Sequence, residues 1–538
     1  MLSTMQAAAP LISSIIEYAA LNHADTEIVS RTVEGELHRY HYRDACRRSK
    51  RLANALKHLK IHQGDRIGTL AWNTYRHYEL YYAVSGMGAI LHTINPRLFP
   101  DQITWIANHA RDRVLFFDLT FAPLVEKLAA AMPTVEAFVV MTDRAHMPLL
   151  KVPNLLCYED LLEAEADDFV WPSFPDLTPS SLCYTSGTTG DPKGVLFTHR
   201  STVYHTIAAM TRDALNIHSG SCVLPVVPMF HVNAWGVPYM ATAAGAKLVL
   251  PGPALDGASV YDLTEREGVT ISLGVPTIWL GLLNHVESLG LRFSTLQETV
   301  VGGAACPPMV IEKFSSKYNV DVIHAWGMTE MSPIGTINRL KGKHAALSDA
   351  EKFAIRVKQG RAIFGVEMKI VDDAGKPLPR DGKAFGDLMV RGPWVVERYY
   401  GEEKSALIDG WFHTGDVATI DADGYMQITD RSKDVIKSGG EWISSIELEN
   451  IAVSHSAVAE AAVIGVAHPK WDERPLLLVV LKKDGKATKE ELLAIFEGKI
   501  AKWMLPDDVV FVPELPHTAT GKLQKRTLRD TWARHYLA

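Results

Sequence analysis

Residues 184–194 read Tyr-Thr-Ser-Gly-Thr-Thr-Gly-Asp-Pro-Lys-Gly. The stretch concentrates hydroxyl side chains and glycines ahead of a single lysine, Lys193. Backbone N–H groups, hydroxyls and one ammonium in such a loop can wrap a polyphosphate. Apolar segments at 182–183 and 195–197 flank it, which predicts a strand–loop–strand hairpin on a folded scaffold. The sequence therefore predicts that the chain binds a nucleoside triphosphate.

The loop does not match the Walker phosphate loop, which requires G-x-x-x-x-G-K-[ST] at the start of a helix. Here Lys193 is preceded by Pro192 and followed by Gly194. Ordinary P-loop NTPase chemistry is therefore disfavoured. Clusters of Gly, Ser and Thr between apolar segments are usually plain loops, so a nucleotide role needs support from the rest of the chain.

Length and composition are those of a multidomain globular protein. At 538 residues the chain is too long for a single core, which predicts two or three domains. Apolar residues make up 47% and charged residues 22%, as in ordinary soluble proteins. A net charge of −7 offers no basic field to attract nucleic acid. We therefore expect no nucleic-acid partner.

The cysteines and the N-terminus indicate a cellular compartment. The 5 cysteines are scattered without a C-x-x-C pair, which is typical of buried thiols in a reducing environment. The N-terminus lacks a basic n-region, and Glu17 interrupts the apolar run at 11–21. No apolar stretch reaches the roughly 18 residues of a membrane span. We expect a cytoplasmic protein without stable membrane insertion.

Short apolar runs alternate with helical patterns over most of the chain. Predicted strands lie at 66–72, 114–117, 135–141, 246–250 and 270–273, and predicted helices at 78–90, 122–131, 277–286 and 308–318. Such alternation predicts an α/β fold with largely parallel sheets covered by helices. Residues 360–430 place Gly, Pro and Asp between short strands, which indicates a β-rich subdomain.

The chain past residue 430 has the pattern of a small α+β domain. Its predicted elements are a helix at 446–453, strands at 458–465 and 475–482, a charged helix at 489–502 and a strand at 509–512. About 108 residues is within the usual size of a domain.

Four further segments add chemistry to the glycine-rich loop. Residues 324–330, His-Ala-Trp-Gly-Met-Thr-Glu, place an aromatic ring near a hydroxyl and a carboxylate, which suits a nucleobase and Mg²⁺. Residues 410–416 end in Asp416, a carboxylate able to accept from both ribose hydroxyls. Residues 430–437 pack four charges into a predicted domain junction, and residues 520–522, Thr-Gly-Lys, lie on a near-terminal loop.

Together and in this order, these segments resemble the adenylate-forming superfamily of acyl-CoA synthetases, peptide-synthetase adenylation domains and firefly-type luciferases. The string Thr-Ser-Gly-Thr-Thr-Gly-x-Pro-Lys-Gly is highly specific. The resemblance implies an N-terminal domain, 1–430, that binds ATP and the acyl substrate. It also implies a mobile C-terminal domain, 431–538, that carries the catalytic lysine and a loop facing coenzyme A. The implied cofactors are ATP, Mg²⁺ and coenzyme A.

The resemblance gives a role to each residue that matches a nucleotide motif. The phosphate loop comprises Thr185, Ser186, Gly187, Thr188, Thr189, Gly190 and Lys193. Adenine is bordered by Gly303, Ala304 and Ala305, opposite the segment His324, Ala325, Trp326, Gly327 and Met328. Thr329 matches the α-phosphate position, and Glu330 with Thr185 matches the metal position. Asp416 and Arg431 match the ribose clamp, with Ile428 packing nearby.

The resemblance also implies two successive uses of the C-terminal domain. Lys522 is similar to the lysine that bridges the substrate carboxylate and the α-phosphate. Lys433 falls at the hinge about which the domain would rotate before a thiol attacks. After rotation, a second segment would face the active site along a narrow pantetheine tunnel; it comprises Lys437, Ser438, Gly439, Gly440 and Glu441. The predicted catalytic residues are Lys522, Lys437, Glu330 and His231.

A coenzyme A ligase fits the acyl-pocket segment, 229–236, best, because it carries no anion to hold an amino-acid ammonium group. The implied pocket residues are His231, Val232, Trp235, Val301, Gly302, Gly327, Met331, Pro333 and Ile334. An apolar pocket partly filled by Trp235 indicates a short or medium acyl chain. Residues 228–235 and 438–444 are similar to medium-chain fatty-acyl-CoA ligases and 3-methylmercaptopropionate-CoA ligases, and the latter are slightly favoured.

Other classes of function stay open to different degrees. One is a stand-alone enzyme that adenylates an amino or aryl acid and loads a carrier protein, and another is a luciferase-like oxygenase. A hydrolase is disfavoured because the sequence has no G-x-S-x-G or H-E-x-x-H motif. A nucleotide sensor would be expected to have lost Lys522 or the phosphate loop. A homodimer is an open alternative to a monomer.

Overall fold

The structure is a computed structural model that describes residues 4–6, 8–185, 192–438, 441–483, 485–517 and 523–537, with only the backbone of Glu441 and Trp442. The chain divides into two compact units. The first comprises Met1–Glu367 and Arg391–Gly410, and the second comprises Met368–Val390 and Trp411–Ala538. The domain boundary expected near residue 430 stays a prediction.

The helices, in chain order, are α1 (Ile12–Asn22), α2 (Tyr42–His58), α3 (Tyr75–Gly86), α4 (Pro100–Ala110), α5 (Ala122–Leu128), α6 (Tyr158–Glu163), α7 (His199–Ala209), α8 (Val237–Ala244), α9 (Gly257–Glu267), α10 (Pro276–Ser288), α11 (Pro308–Tyr318), α12 (Asp349–Arg356), α13 (Ser445–Val453), α14 (Lys489–Ala494) and α15 (Lys525–Trp532). Short 3-10 turns lie at Leu119–Phe121, Ala129–Ala131, Arg144–His146, Val232–Gly236, Thr329–Met331, Gly342–Ala346 and Lys502–Met504.

The strands, in chain order, are β1 (Glu27–Arg31), β2 (Leu37–His41), β3 (Arg66–Leu70), β4 (Ile90–Thr93), β5 (Asp112–Phe117), β6 (Ala137–Val140), β7 (Leu155–Cys157), β8 (Pro179–Tyr184), β9 (Gly194–Thr198), β10 (Cys222–Pro225), β11 (Lys247–Leu250), β12 (Ile271–Gly274), β13 (Glu298–Val301), β14 (Asp321–Gly327), β15 (Ile334–Ile337), β16 (Arg361–Ala362), β17 (Glu367–Val371), β18 (Phe385–Arg391), β19 (Leu407–Ile408), β20 (Trp411–Ile420), β21 (Met426–Arg431), β22 (Ile436–Ser438), β23 (Glu441–Ile443), β24 (Val458–His468), β25 (Asp472–Leu481) and β26 (Asp508–Phe511).

Two largely parallel sheets form the centre of the first unit. The nine-stranded sheet has the order β16-β15-β14-β13-β12-β10-β11-β1-β2, and the seven-stranded sheet has the order β7-β6-β5-β3-β4-β8-β9. Antiparallel pairs occur at their edges, between β1 and β2, β14 and β15, β15 and β16, and β8 and β9. The central strands are apolar and buried, as expected for parallel strands covered on both faces.

The second unit contains a β-rich part and an α+β part. In the β-rich part, β20 pairs antiparallel with both β18 and β21. In the α+β part, β24 and β25 form a long antiparallel pair, and β26 adds to β25 in parallel. The apolar core of this part lies between the sheet and α13 and α14, and includes Ile436, Leu448 and Val479. The predicted α/β class and the β-rich and α+β regions are confirmed; the mobility of the C-terminal region stays a prediction.

Two predicted helices have different ends from those expected. The helix predicted at 78–90 is α3, which begins after Thr74 and ends at Gly86. Gly88 has φ +89°, and Ile90 already pairs with Arg66 in the sheet. The charged helix predicted at 489–502 ends at Ala494, ahead of Gly498 with φ +73°. Both predictions ran past a glycine in the left-handed region, which a helix cannot contain.

The described part of the chain contains no helix that is both long and apolar enough to cross a bilayer. All five cysteines are free and buried, as the sequence predicted.

Candidate active site

The predicted nucleotide and acyl segments of the first unit follow the carboxyl ends of strands. The phosphate loop follows β8, two further segments follow β10 and β13, and residues 324–330 run from the end of β14 into the turn after it. Asn73, just past β3, joins the two sheets at this edge. Its amide donates to the carbonyls of Pro225 and Val227, both at 2.8 Å, and its oxygen accepts from the N–H of Met229 at 2.6 Å. Open parallel sheets bind ligands at this edge.

The phosphate loop connects the two antiparallel strands of a hairpin, β8 and β9, which confirms the predicted strand–loop–strand arrangement. Tyr184 pairs with Gly194 at the last rung of β8 and β9. The N–H of Thr185 donates to the Lys193 carbonyl at 2.9 Å, and the N–H of Lys193 donates to the Thr185 hydroxyl at 3.4 Å. The Lys193 side chain is exposed. The predicted phosphate ligands Ser186, Gly187, Thr188, Thr189 and Gly190 lie outside the described residues.

The carboxylate predicted to hold the metal lies in the short turn after β14. Glu330 is only 8% exposed, and its Oε1 accepts from the Tyr399 hydroxyl at 2.9 Å. Its carbonyl accepts from the N–H of Val396 at 2.7 Å. Thr329, beside it, is 6% exposed. The turn is therefore fixed through backbone and side chain by residues 396–399, to which the sequence assigned no role.

The segments predicted to border adenine lie at the ends of β13 and β14. Gly303 has φ +80°, and Ala304 is exposed. Trp326 is buried against Gly335, where a Cβ would lie 2.6 Å from its ring. Gly327 leaves no room for a side chain, since a Cβ there would lie 1.9 Å from the Pro333 carbonyl.

The remaining residues of this segment are Ala325, which is buried in β14, and Met328, whose N–H donates to the Pro333 carbonyl at 3.0 Å. His324 is 1% exposed, and its Nδ1 lies 3.1 Å from the Val357 carbonyl. Burial lowers the pKa of His324 to about 4, so the imidazole is neutral at physiological pH.

The acyl-pocket segment forms an unusual left-handed turn between β10 and α8. Val232, Asn233, Ala234 and Trp235 have φ of +42°, +48°, +48° and +57°. Positive φ at a β-branched residue is rare, and such strain, roughly 1–3 kcal/mol per residue, collects at functional sites. Asn233 holds the turn by donating to the Ser181 hydroxyl at 3.0 Å.

The turn places Trp235 directly against the end of β13. A Cβ on Gly302 would lie 3.0 Å from the tryptophan ring, so these two predicted pocket residues are brought together. Val301 is buried beside Gly302, and His231 is half-buried at the start of the turn. The other predicted wall residues lie on the segment after β14, with Met331, Pro333 and Ile334 all buried.

The predicted ribose clamp lies within the second unit. Asp416 of β20 faces Arg431 of β21, and its Oδ1 lies 2.9 Å from the arginine Nε. Ile428, two pairs away on β21, is paired with Ala418. The structure thus brings Asp416 and Arg431 together as the sequence expected. Lys433 follows in a turn, where partial burial and the guanidinium groups of nearby arginines lower the pKa of its ammonium.

The segment predicted to face coenzyme A is anchored at its base. The N–H of Lys437 donates to the Glu473 carboxylate at 2.9 Å, and Arg474 donates to the Ser438 hydroxyl at 3.1 Å. The Lys437 side chain is exposed and Ser438 is buried. Gly439, Gly440, the side chain of Glu441 and the whole of Lys522 lie outside the described residues.

Comparison with known proteins gives matches over nearly the whole chain. The family model described as AMP-binding enzyme matches residues 16–400, and its C-terminal domain matches residues 447–522. The chain belongs to the AMP-binding enzyme family.

Two relatives and one solved structure are similar to the chain over almost its whole length. A 3-methylmercaptopropionyl-CoA ligase of Ruegeria lacuscaerulensis is 55% identical over 98% of each chain. A medium-chain-fatty-acid–CoA ligase of Ectopseudomonas oleovorans is 50% identical over 99% of this chain and 98% of its own. A crystal structure of the anthranilate CoA ligase AuaEII with anthranoyl-AMP has a TM-score of 0.87 at 26% identity, covering 100% of each chain. The predicted class, an ATP-dependent acid–CoA ligase that uses Mg²⁺ and coenzyme A, is thereby confirmed.

The oxygen donors of this AMP-binding enzyme fit Mg²⁺. The residues predicted for the metal are Glu330, which has a carboxylate, and Thr185, which has a hydroxyl group. Among the residues that the structure describes, no group of three His, Cys, Asp or Glu could hold a metal ion. Mg²⁺ is commonly held by one or two carboxylates plus substrate phosphates, without an all-protein cage. The donor set therefore agrees with an ion that arrives with the nucleotide.

Sequence reasoning missed two residues that organise the AMP-binding unit. His205 of α7 accepts from the N–H of Ile334 at 3.2 Å and lies against Gly236, so it connects both walls of the predicted pocket. Tyr399 contacts Glu330 and Lys193. Neither stands in a recognisable motif, and each acts through partners far away in sequence.

Proposed function

We propose that the enzyme activates 3-methylmercaptopropionate, or a straight-chain acid of similar length, and transfers it to coenzyme A. The observation that supports this acid is the contact of Trp235 with Gly302, two residues predicted to line the apolar pocket. The relative at 55% identity is named for the same acid. An apolar pocket distinguishes a thioether from a methylene only weakly, so straight-chain acids of similar length belong to the proposal.

The first step joins two anions. A carboxylate oxygen of the acid forms a bond to the α-phosphorus of ATP, the bond to the β-phosphate oxygen breaks, and pyrophosphate leaves. Cations aimed at the reacting oxygens should therefore dominate catalysis. We assign Lys193 and Thr185 to the terminal phosphates, Glu330 to the metal and Lys522 to the carboxylate and α-phosphate. Bound Mg²⁺ would neutralise phosphate charge.

The second step exchanges oxygen for sulfur. The thiol of coenzyme A loses its proton and forms a bond to the acyl carbon, while the bond from that carbon to the phosphate oxygen breaks and AMP leaves with the electron pair. We assign this step to the segment that begins at Lys437 and Ser438. The hydrogen bonds of its base with Glu473 and Arg474 support a fixed conformation there.

An amino acid is a poorer candidate for the acyl substrate. Its ammonium group would need a buried anion in the pocket, because an unpaired charge is costly to bury. Residues 229–236 contain no Asp or Glu. We therefore place amino acids outside the proposed substrates.

A panel of acids tests the proposal. Pyrophosphate release is measured with 3-methylmercaptopropionate and with short, medium, long and aromatic acids, with and without coenzyme A. The highest kcat/KM is expected for the sulfur acid and straight chains of similar length. Preference for long-chain or aromatic acids would contradict the proposed acid.

The role of Trp235 is tested with the same panel. Trp235→Ala is expected to shift the preferred chain length upward by two or more carbons and to change the KM for ATP by less than about twofold, because it opens only the acyl pocket. Trp471→Ala, at a half-exposed tryptophan of the second unit, is the matched control and should leave the profile unchanged. Weakened ATP binding with an unchanged acid profile would remove Trp235 from the pocket.

A cytoplasmic location and a homodimeric assembly also remain proposals. The five buried, free thiols support a reducing compartment. Light scattering during size-exclusion chromatography would decide between monomer and dimer.

A further inference from the structure

Residues 394–400 of the first unit run between two parts of the predicted nucleotide site. On one side, the N–H of Val396 donates to the Glu330 carbonyl at 2.7 Å. On the other side, the N–H of Tyr400 donates to the carbonyl of Gly194, next to Lys193, at 2.8 Å. This segment therefore connects two features to the same stretch of backbone. One is the turn that carries Glu330, and the other is the β8–β9 hairpin beside Lys193, called the phosphate hairpin below.

Tyr399 connects the same two parts through its side chain. Its hydroxyl donates to Oε1 of Glu330 at 2.9 Å. The Lys193 ammonium lies 4.5 Å from the centre of the tyrosine ring, within the range of a cation–π contact. The half-buried ring packs on an apolar cluster of the phosphate hairpin, formed by Cys183, Val195 and Phe197. One side chain thus contacts the proposed phosphate lysine and the proposed metal carboxylate.

The phenol of Tyr399 is a hydrogen-bond donor to the Glu330 carboxylate. A donated hydrogen bond stabilises the ionised form of Glu330, which is the form that binds a metal. Outer hydrogen bonds of this kind orient ligating carboxylates, and their loss typically weakens metal binding about 10–100-fold.

We propose that Tyr399 is a positioning residue of the metal and phosphate centre. Its hydroxyl orients Glu330 for Mg²⁺, and its ring holds the long Lys193 side chain beside that turn before the nucleotide binds. Tyrosine meets both requirements, since phenylalanine would keep only the ring contact. The inference rests on the proposed roles of Glu330 and Lys193.

Metal binding without turnover provides the test. Binding of Mn²⁺ is measured by electron paramagnetic resonance in the presence of α,β-methylene-ATP and the absence of acid. Tyr399→Phe is expected to weaken Mn²⁺ binding about tenfold, the lower end for loss of an outer partner, with unchanged affinity for the analogue at saturating Mg²⁺. Tyr399→Met is expected also to weaken analogue binding about two- to fivefold, as for loss of an exposed cation–π contact.

Tyr400→Phe is the matched control. The Tyr400 hydroxyl lies 3.5 Å from the Ala110 carbonyl and belongs to neither contact, so this variant should bind Mn²⁺ and the analogue like the wild type. Melting curves verify folding. Tyr399→Phe keeps the ring on its apolar cluster and is expected to unfold at the temperature of Tyr400→Phe; it decides the proposal even if Tyr399→Met does not fold.

A double-mutant cycle separates the two levels of inference. Because Tyr399 acts through Glu330, Tyr399→Phe should weaken Mn²⁺ binding no further in a Glu330→Gln background. If the effects of the two substitutions on Mn²⁺ binding are additive, or if Tyr399→Phe binds Mn²⁺ like the wild type, the role of Tyr399 is overturned and the proposed metal site is not. Wild-type Mn²⁺ binding by Glu330→Gln instead overturns the proposed metal site.

Discussion

At the scale of single residues, Asp416 and Arg431 form a well-defined pair within the predicted nucleotide site. Asp416 is 2% exposed and faces the arginine across two paired strands, 2.9 Å from its Nε. A guanidinium at this distance favours the ionised carboxylate. An ionised carboxylate offers several acceptor positions, so it can accept from both hydroxyls of a ribose while it remains paired with the arginine.

Replacement of Asp416 should therefore reduce the preference for ribose over deoxyribose. Asp416→Asn is expected to raise the KM for ATP about tenfold or more, since a hydrogen bond to a charged group contributes about 1.5–3 kcal/mol. The ratio of kcat/KM for ATP to that for 2′-deoxy-ATP should fall towards one. Asp373→Asn, at an exposed position of the same unit, is the control. If the variant keeps the wild-type ratio, Asp416 does not contact the 2′-hydroxyl.

At the scale of elements, α7 carries two buried histidines, each of which accepts a hydrogen bond from the backbone of another segment. His205 accepts from the N–H of Ile334, and His199 accepts from the N–H of Ile12 at 3.1 Å. Burial lowers the pKa of His205 to about 3 and that of His199 to about 4. An unfolded chain binds protons at both positions below about pH 6.5, whereas the folded chain does not. Both residues therefore stabilise the fold fully above pH 6.5 and progressively less as the pH falls towards 4 and 3.

The variant His205→Gln keeps an acceptor and removes this titration. Between pH 7 and pH 4.5 its free energy of unfolding should fall by about 2.5 kcal/mol less than that of the wild type, because each pH unit below the unfolded pKa contributes about 1.4 kcal/mol. Denaturant unfolding at both pH values measures the difference, with exposed His62→Gln as the control. Burial raises the pKa of Asp118 to about 7, so this residue stabilises the fold as the pH falls, in the opposite sense to the histidines. Its contribution is the same in the wild type and in the variant, and it therefore cancels when their pH curves are compared. Parallel pH curves would contradict the prediction.

Elements also show how far the sequence could predict this protein. The helix Pro308–Tyr318 and the hairpin around the phosphate loop follow from local patterns, and both were predicted. The left-handed turn at Trp235 could not be predicted, because Val, Ala and Trp disfavour positive φ and the side chain of Asn233 is held there by residues distant in sequence, Ser181 and Cys183. Tyr399 is likewise 69 residues from Glu330. Sequence motifs identify residues that could contact the substrate. The residues that position them are brought close only by the tertiary fold, so a motif does not identify them.

At the scale of the whole molecule, the two proposed steps make incompatible demands on the same acyl group. The first requires an ammonium between two anions, and the second requires an open path for sulfur to the same carbon. The proposed parts are also divided along the chain. The phosphate loop and Glu330 fall in the residue range of the first unit, and Lys437 and Lys522 fall in that of the second. Lys433, the predicted hinge, falls within the residue range of the second unit, and rotation about it would let the segments that carry Lys437 and Lys522 act in turn.

If Lys522 serves only the first step and Lys437 only the second, their variants should fail in different half-reactions. Lys522→Ala is expected to slow pyrophosphate release about 10²–10³-fold, as for loss of one preorganised electrostatic group, yet to form thioester normally from supplied acyl-AMP and coenzyme A. Lys437→Ala should show the reverse, with the exposed Lys483→Ala as the control. Equal losses in both half-reactions for either variant would indicate a structural role, because a residue used in one step cannot slow the other when its intermediate is supplied.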